Sequence, residues 1–168
     1  MARGETIFNT QPLVITDVRG LNDALNETTI NGTCTTCHPN VGDHSLAVPL
    51  EIGTSRTVNY ETDRTIRAAV SQLSMPNLPV FQVVCNTGVD AGEVTYTSDP
   101  GKALITGLCT DVGRGKGLIL RGLAARAPYF HNGAAATLDE MVDFYNVRFQ
   151  MNLTPQQHTD LVNFLKTL

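Results

Sequence analysis

Tryptophan is absent from this chain of 168 residues, and aromatic side chains of all kinds make up only 6% of it. A core of this length is left short of apolar bulk, which a large buried cofactor would supply. A basic excess is missing as well, since 12 Lys and Arg stand against 16 Asp and Glu, for a net charge of −4. That balance excludes a dedicated nucleic-acid binder, which needs a basic face, and suits a basic protein partner better. No apolar run approaches the roughly 20 residues needed to cross a bilayer, so no membrane span is expected. The opening Met1-Ala2-Arg3-Gly4-Glu5 has no apolar stretch of the kind a secretion signal carries. It fits either a cytosolic protein or an exported one whose leader has been removed and replaced by an initiator Met. Internal repeats and low-complexity tracts are also missing.

What is present reads as one domain over residues 1–168, with 42% hydrophobic and 17% charged residues, an ordinary globular balance. Ala2–Asn9 predicts a short helix that stops before Pro12, and residues 20–45 have the Gly, Asn, Thr and Pro content of a loop. A helix is expected over Glu61–Leu73, ahead of Pro76 and Pro79. Val80–Cys85 and Glu93–Thr97 are β-prone and flank a polar, glycine-containing turn, which predicts a β-hairpin. Lys102–Leu108 reads as a short helix and Gly113–Gly117 as a flexible glycine-rich loop without phosphate-binding spacing. Thr137 with Glu140, and Thr154 with Gln157, are capping boxes, the second with Pro155 at the first helical position. Leu138, Met141, Val142 and Tyr145 then share one helix face, and Leu161, Val162, Leu165 and Leu168 another. Two amphipathic helices follow, joined by Asn146–Leu153.

Cys34-Thr35-Thr36-Cys37-His38 is the motif that carries chemistry. Two thiols at this spacing can each add to one vinyl group of haem, and the next residue then supplies an axial imidazole to the iron. A thioredoxin-like dithiol should open a helix after a strand, whereas this motif lies in loop composition. A zinc site drawn from Cys34, Cys37, His44 and Cys109 lacks a second tight ligand pair. A disulfide across so short a loop would constrain little. One covalent haem c, held through Cys34 and Cys37 with His38 on the metal, is therefore the expected cofactor.

Covalent haem c is assembled outside the bacterial cytoplasm, which favours a periplasmic or extracellular protein with its leader removed. Cys85 and Cys109 remain after the haem pair is assigned, and an oxidising compartment would let them bond. The alternative is two independent buried thiols.

Leu120-Arg121-Gly122-Leu123-Ala124-Ala125-Arg126-Ala127-Pro128-Tyr129-Phe130-His131-Asn132-Gly133, followed by Ala136-Thr137-Leu138-Asp139-Glu140-Met141-Val142-Asp143-Phe144-Tyr145, resembles the bacterial di-haem cytochrome c peroxidase and MauG-like family. The segment Arg3–Asn9 and the ending Leu161–Leu168 are similar to the family as well. Enzymes of that family carry two Cys-x-x-Cys-His sites, and this chain has one, so the resemblance implies the haem fold more than the peroxide chemistry.

By the same resemblance, Tyr145, fourteen residues after His131, stands where the family places its distal ligand. Met151 and Met75 are the alternatives, together with an open sixth position. A thioether would favour Fe(II) and a phenolate Fe(III). The resemblance also places His131 near the haem edge, and Arg121 and Arg126 are the candidates to pair with haem propionates. His44 and His158 read as surface histidines, and Glu51, Glu61 and Glu93 as surface charges.

The expected fold class is mainly α: a cytochrome-c-like helical domain around one haem, with a small β-hairpin insertion. The expected function is electron transfer between extracytoplasmic redox protein partners, because no acid–base constellation stands out near the motif. A peroxidase-like haem enzyme or subunit with an open iron, a small-ligand sensor, and assembly with other haem proteins or further copies are the alternatives.

Overall fold

Both ends of the chain come together at one side of the molecule. The structure is a computed structural model that describes residues 2–39, 46–56, 63–74 and 77–168. Helix α1 (Ala2–Thr10) packs on the last helix, α7 (Pro155–Leu165). Gly4 permits the approach, since a Cβ there would collide with the carbonyl of Asp160 and the side chain of Phe164. Arg3 closes the contact with a two-pronged bond to Asp160, Nε to Oδ2 at 2.7 Å and Nη2 to Oδ1 at 2.9 Å. Helix α6 (Leu138–Arg148) packs on α7, and α4 (Arg64–Val70) packs on α6.

Short strands and turns fill the space between. Strand β1 (Leu13–Thr16) pairs antiparallel with β2 (Thr29–Gly32), Ile15 opposite Ile30, on either side of the single turn α2 (Asn22–Leu25). The next turn, α3 (Cys34–Cys37), follows β2 directly. Strand β3 (Pro49–Leu50) pairs with β6 (Gly115–Lys116), and β4 (Phe81–Val84) with β5 (Val94–Thr97), with α5 (Ala103–Thr106) between β5 and β6.

The expected mainly α, cytochrome-c-like helical domain is not what forms: among the described residues helix accounts for 37% and strand for 16%, a mixed architecture with no clear helical bundle. The physical reason lies in the connections. With 14 Gly and 8 Pro, long stretches cannot propagate helix, and β-branched pairs such as Val14 with Ile15 and Thr29 with Ile30 form the β1–β2 ladder instead. The hairpin lies where the β-prone segments predict it, and Cys85 at its end is bonded to Cys109, with Cα atoms 5.9 Å apart.

Other boundaries shift for local reasons. Asp63 caps α4, its Oδ1 accepting from Thr65 N at 2.7 Å and Ile66 N at 3.0 Å; the predicted start at Glu61 lies outside the described residues. At α7 the capping box forms as predicted, Thr154 N donating to Gln157 Oε1 at 2.9 Å and Gln157 N to Thr154 Oγ1 at 3.3 Å. At α6 only half of it forms. Thr137 Oγ1 accepts from Glu140 N, while the Glu140 carboxylate turns to Ala136 N and Ser74. Residues 113–117 are anchored by the β3–β6 pairing instead of forming a free loop.

Candidate functional site

The helices and turns enclose a cavity of about 230 Å³. Phe8 of α1, Met141, Val142 and Tyr145 of α6, and Leu161 and Leu165 of α7 form its helical side. The other side comes from Leu46, Leu50, Ile52 and Thr54, from Asp99, and from part of the segment 113–131, including Lys116, Leu118 and Ile119. The lining is overwhelmingly apolar, a wall suited to a large flat hydrophobic ligand.

Cys34, Cys37 and His38 stand together in this wall. They arrive there on a strand and a turn, where the sequence predicted a loop. Thr33 N donates to Thr36 Oγ1 at 3.0 Å and starts the turn, and His38 N bonds Cys34 O at 3.0 Å and ends it. A dithiol opening a helical turn after a strand is the setting of a redox pair, but its electrostatics are the opposite of one. Reactive thiols are held low by nearby positive charge. Here burial pushes the Cys34 thiol up to about 12, and burial raises Cys37 too. Both remain neutral and unbonded to each other.

His38 is held against α1, its ring centroid 6.4 Å from that of Phe8. Burial lowers its pKa and keeps the imidazole neutral, the form that ligates metals. Its Nδ1 is buried with no hydrogen-bond partner among the described residues. An orphaned ring nitrogen beside two half-buried thiols in an apolar cavity fits a covalently held haem, and these residues pass that test.

Tyr145 lines the same cavity within an aromatic cluster, its ring 6.0 Å from Phe130, 5.7 Å from Phe144 and 5.6 Å from Phe149. Burial raises its phenol well above the ordinary value, with Cys37 and Cys34 adding to the effect. Met151, 2% exposed, lines the cavity as well, whereas Met75 lies outside the described residues. Met141, one turn before Tyr145 on α6, is a third cavity residue of this kind. The sequence pattern marked it only as part of an apolar face, and a face turned to a cavity looks the same as one turned to a core.

Arg126 and His131 also reach the lining; Arg121 is exposed and lies outside it. Arg126 Nη1 donates to Ile119 O at 3.1 Å, and His131 Nδ1 sits 2.6 Å from Asp99 Oδ2. Asp99 is therefore a site residue the sequence did not single out, its signal masked by the Pro and Gly that follow it. His158 is off the cavity, 3.0 Å from Asp143, and His44 lies outside the described residues. Cys109 is taken by its disulfide, which removes it from the zinc set. Among the described residues no group of three or more His, Cys, Asp and Glu could hold a metal ion. Glu51, expected at the surface, is buried at 2% exposure, where it pairs with Arg56 and accepts from Gly53 N and Ser55 Oγ. Glu61 lies outside the described residues, and Glu93 is exposed as expected.

The chain is similar to two cytochrome-c peroxidases. Cytochrome-c peroxidase IdrP2 of Denitromonas iodatirespirans is 32% identical over 120 residues, 68% of this chain and 28% of that protein. Cytochrome-c peroxidase IdrP1 of the same organism is 38% identical over 69 residues, 34% of this chain and 18% of that protein. The chain thus spans less than a third of the length of either relative. No family model matches it, and no solved structure does. Among the described residues no helix is long and apolar enough to cross a membrane.

Proposed function

We propose that this chain is a c-type cytochrome unit that holds one haem through Cys34 and Cys37, with His38 as an axial ligand, and passes electrons between redox proteins outside the cytoplasm. One observation carries the reading: both thiols and the His38 imidazole, whose Nδ1 has no partner among the described residues, share the wall of one apolar cavity. The haem, when bound, supplies a one-electron Fe(III)/Fe(II) couple. The chain's own residues bind it, exclude water and set its surroundings. Tyr145 is the favoured second axial ligand and Met151 the alternative. Arg126 suits a haem carboxylate at the cavity wall, and Arg121 is a candidate from the same motif. The contact of α1 with α7 supports residues 1–168 acting as one unit, and the Cys85–Cys109 bond supports an oxidising compartment.

The test is maturation in a competent bacterial periplasm. One haem per chain should be retained in acidified acetone, and Cys34→Ala with Cys37→Ala should release it. A colourless product, or pigment that extracts freely from the unaltered chain, would overturn the proposal.

The similarity to two cytochrome-c peroxidases favours a second reading, a peroxidase-like haem enzyme or subunit. Optical spectra separate the two. A low-spin spectrum unmoved by cyanide or peroxide belongs to the electron carrier, and a high-spin spectrum that shifts with either belongs to the enzyme.

A further inference from the structure

Asp99 is buried, 9% exposed, in the turn that follows β5. Both its oxygens are committed: Oδ1 accepts from Gly101 N at 2.9 Å, and Oδ2 meets His131 Nδ1 at 2.6 Å. The turn is fixed, since Thr97 Oγ1 accepts from Asp99 N at 3.0 Å and Ser98 N donates to Ser55 O at 2.8 Å. The turn bearing His131 is stitched to the same segment, with Asn132 Nδ2 donating to Thr54 O at 2.9 Å and Ser98 Oγ at 3.0 Å. The carboxylate–imidazole contact thus joins two segments that are already rigid. A carboxylate on Nδ1 holds the proton there and leaves Nε2 as an acceptor. His131 Nε2 has no partner among the described residues, and its side chain is 64% exposed while lining the cavity.

We infer that the His131–Asp99 pair is a proton-accepting site coupled to electron uptake in the cavity, an inference that rests on the function proposed above. A one-electron protein donor gives up one electron and the redox group in the cavity gains it. His131 Nε2 takes one proton from solvent, so the charge added by the electron is balanced at the wall. An apolar cavity screens that added charge poorly, which makes its field felt at His131. Asp99 stabilises the resulting imidazolium. Linkage then requires the reverse, that protonation of His131 eases reduction. The charges around this site are of both signs: Lys116 of β6 and Arg126 in the same lining; Arg114, whose backbone lies against Gly101 and whose guanidinium is paired with Asp23 at 2.6 Å; and the carboxylates of Glu51, packed against Gly113, and of Asp111, 3.9 Å from Arg114. Lys and Arg keep their charge at neutral pH, and the other imidazole of the lining, His38, is committed to the metal in the function proposed above, so His131 is the imidazole left to accept a proton there.

The experiment is a redox titration of the haem-loaded protein between pH 5 and 9, for the unaltered chain, His131→Gln and Asp99→Asn. The midpoint potential of the unaltered chain is expected to fall with rising pH, with a slope approaching one proton per electron. His131→Gln should lose that slope, and Asp99→Asn should weaken it while circular dichroism shows the fold retained. A haem-loaded chain whose potential is flat, or a His131→Gln variant with the original slope, overturns this inference alone. A chain that takes up no covalent haem overturns the parent reading, and this one with it.

Discussion

The helical side of the cavity, built from α1, α6 and α7, is held by apolar burial, while the side built from residues 46–56 and 97–133 is held by polar side chains that bond backbone. On the first, Phe8, Val142, Leu161 and Leu165 are all nearly inaccessible and pack on one another. On the second, Glu51, Thr97, Asp99 and Asn132 gather the carbonyl and amide groups of loops that have no ladder to satisfy them. Apolar contacts are numerous and individually small, so such a wall weakens by degrees. A network of buried polar bonds fails more abruptly, because each lost partner strands another group. The two sides differ in what they tolerate, although they enclose the same space.

Arg148 is where the two constructions meet, and removing it should have the largest effect. It ends α6, is 1% exposed, and donates from Nε to Ile52 O at 2.8 Å and from Nη2 to Thr16 O at 2.6 Å. Arg148→Ala strands those carbonyls beside the buried Glu51 carboxylate and should cost about 3–5 kcal/mol in urea unfolding. A loss under about 1 kcal/mol would mean that the walls stand independently. The disulfide ranks next. It ties the hairpin to the turn at Cys109–Asp111 on the polar side, across 24 residues. Replacing Cys85 and Cys109 by Ser should cost about 2–4 kcal/mol, measured the same way. An unchanged midpoint would show that hydrogen bonds alone hold that side.

The same contrast decides what could be read from the sequence. Thr154, Gln157 and Pro155 announce α7 because a cap acts within one turn, and Leu161, Val162 and Leu165 announce its buried face by spacing alone. Cys34, Cys37 and His38 announce a site for the same reason, being three functional groups within five residues. Asp99 and His131 meet across 32 positions, and Glu51 is buried by partners that the chain brings back only on folding. No local pattern encodes such meetings. Strand β2 was hidden for a related reason, since its four residues lie within residues 20–45, whose Gly, Asn, Thr and Pro content reads as loop.

The smallest expected effect tests whether the helical side depends at all on charge. Arg3 holds the Asp160 carboxyl below its ordinary value through their two hydrogen bonds, against the opposing effect of burial. A carboxylate held low when folded adds stability that is fully present above its unfolded value of about 3.9 and is lost as pH falls through the lower folded value. The melting temperature of the unaltered chain should therefore exceed that of Asp160→Asn at pH 7, and the gap should narrow as the acid is titrated. Arg3 is 76% exposed, so salt should narrow the gap as well. A gap that persists undiminished in strong acid and in high salt would assign the contact between α1 and α7 to packing around Gly4 and Phe164, leaving the helical side without an electrostatic component at that contact.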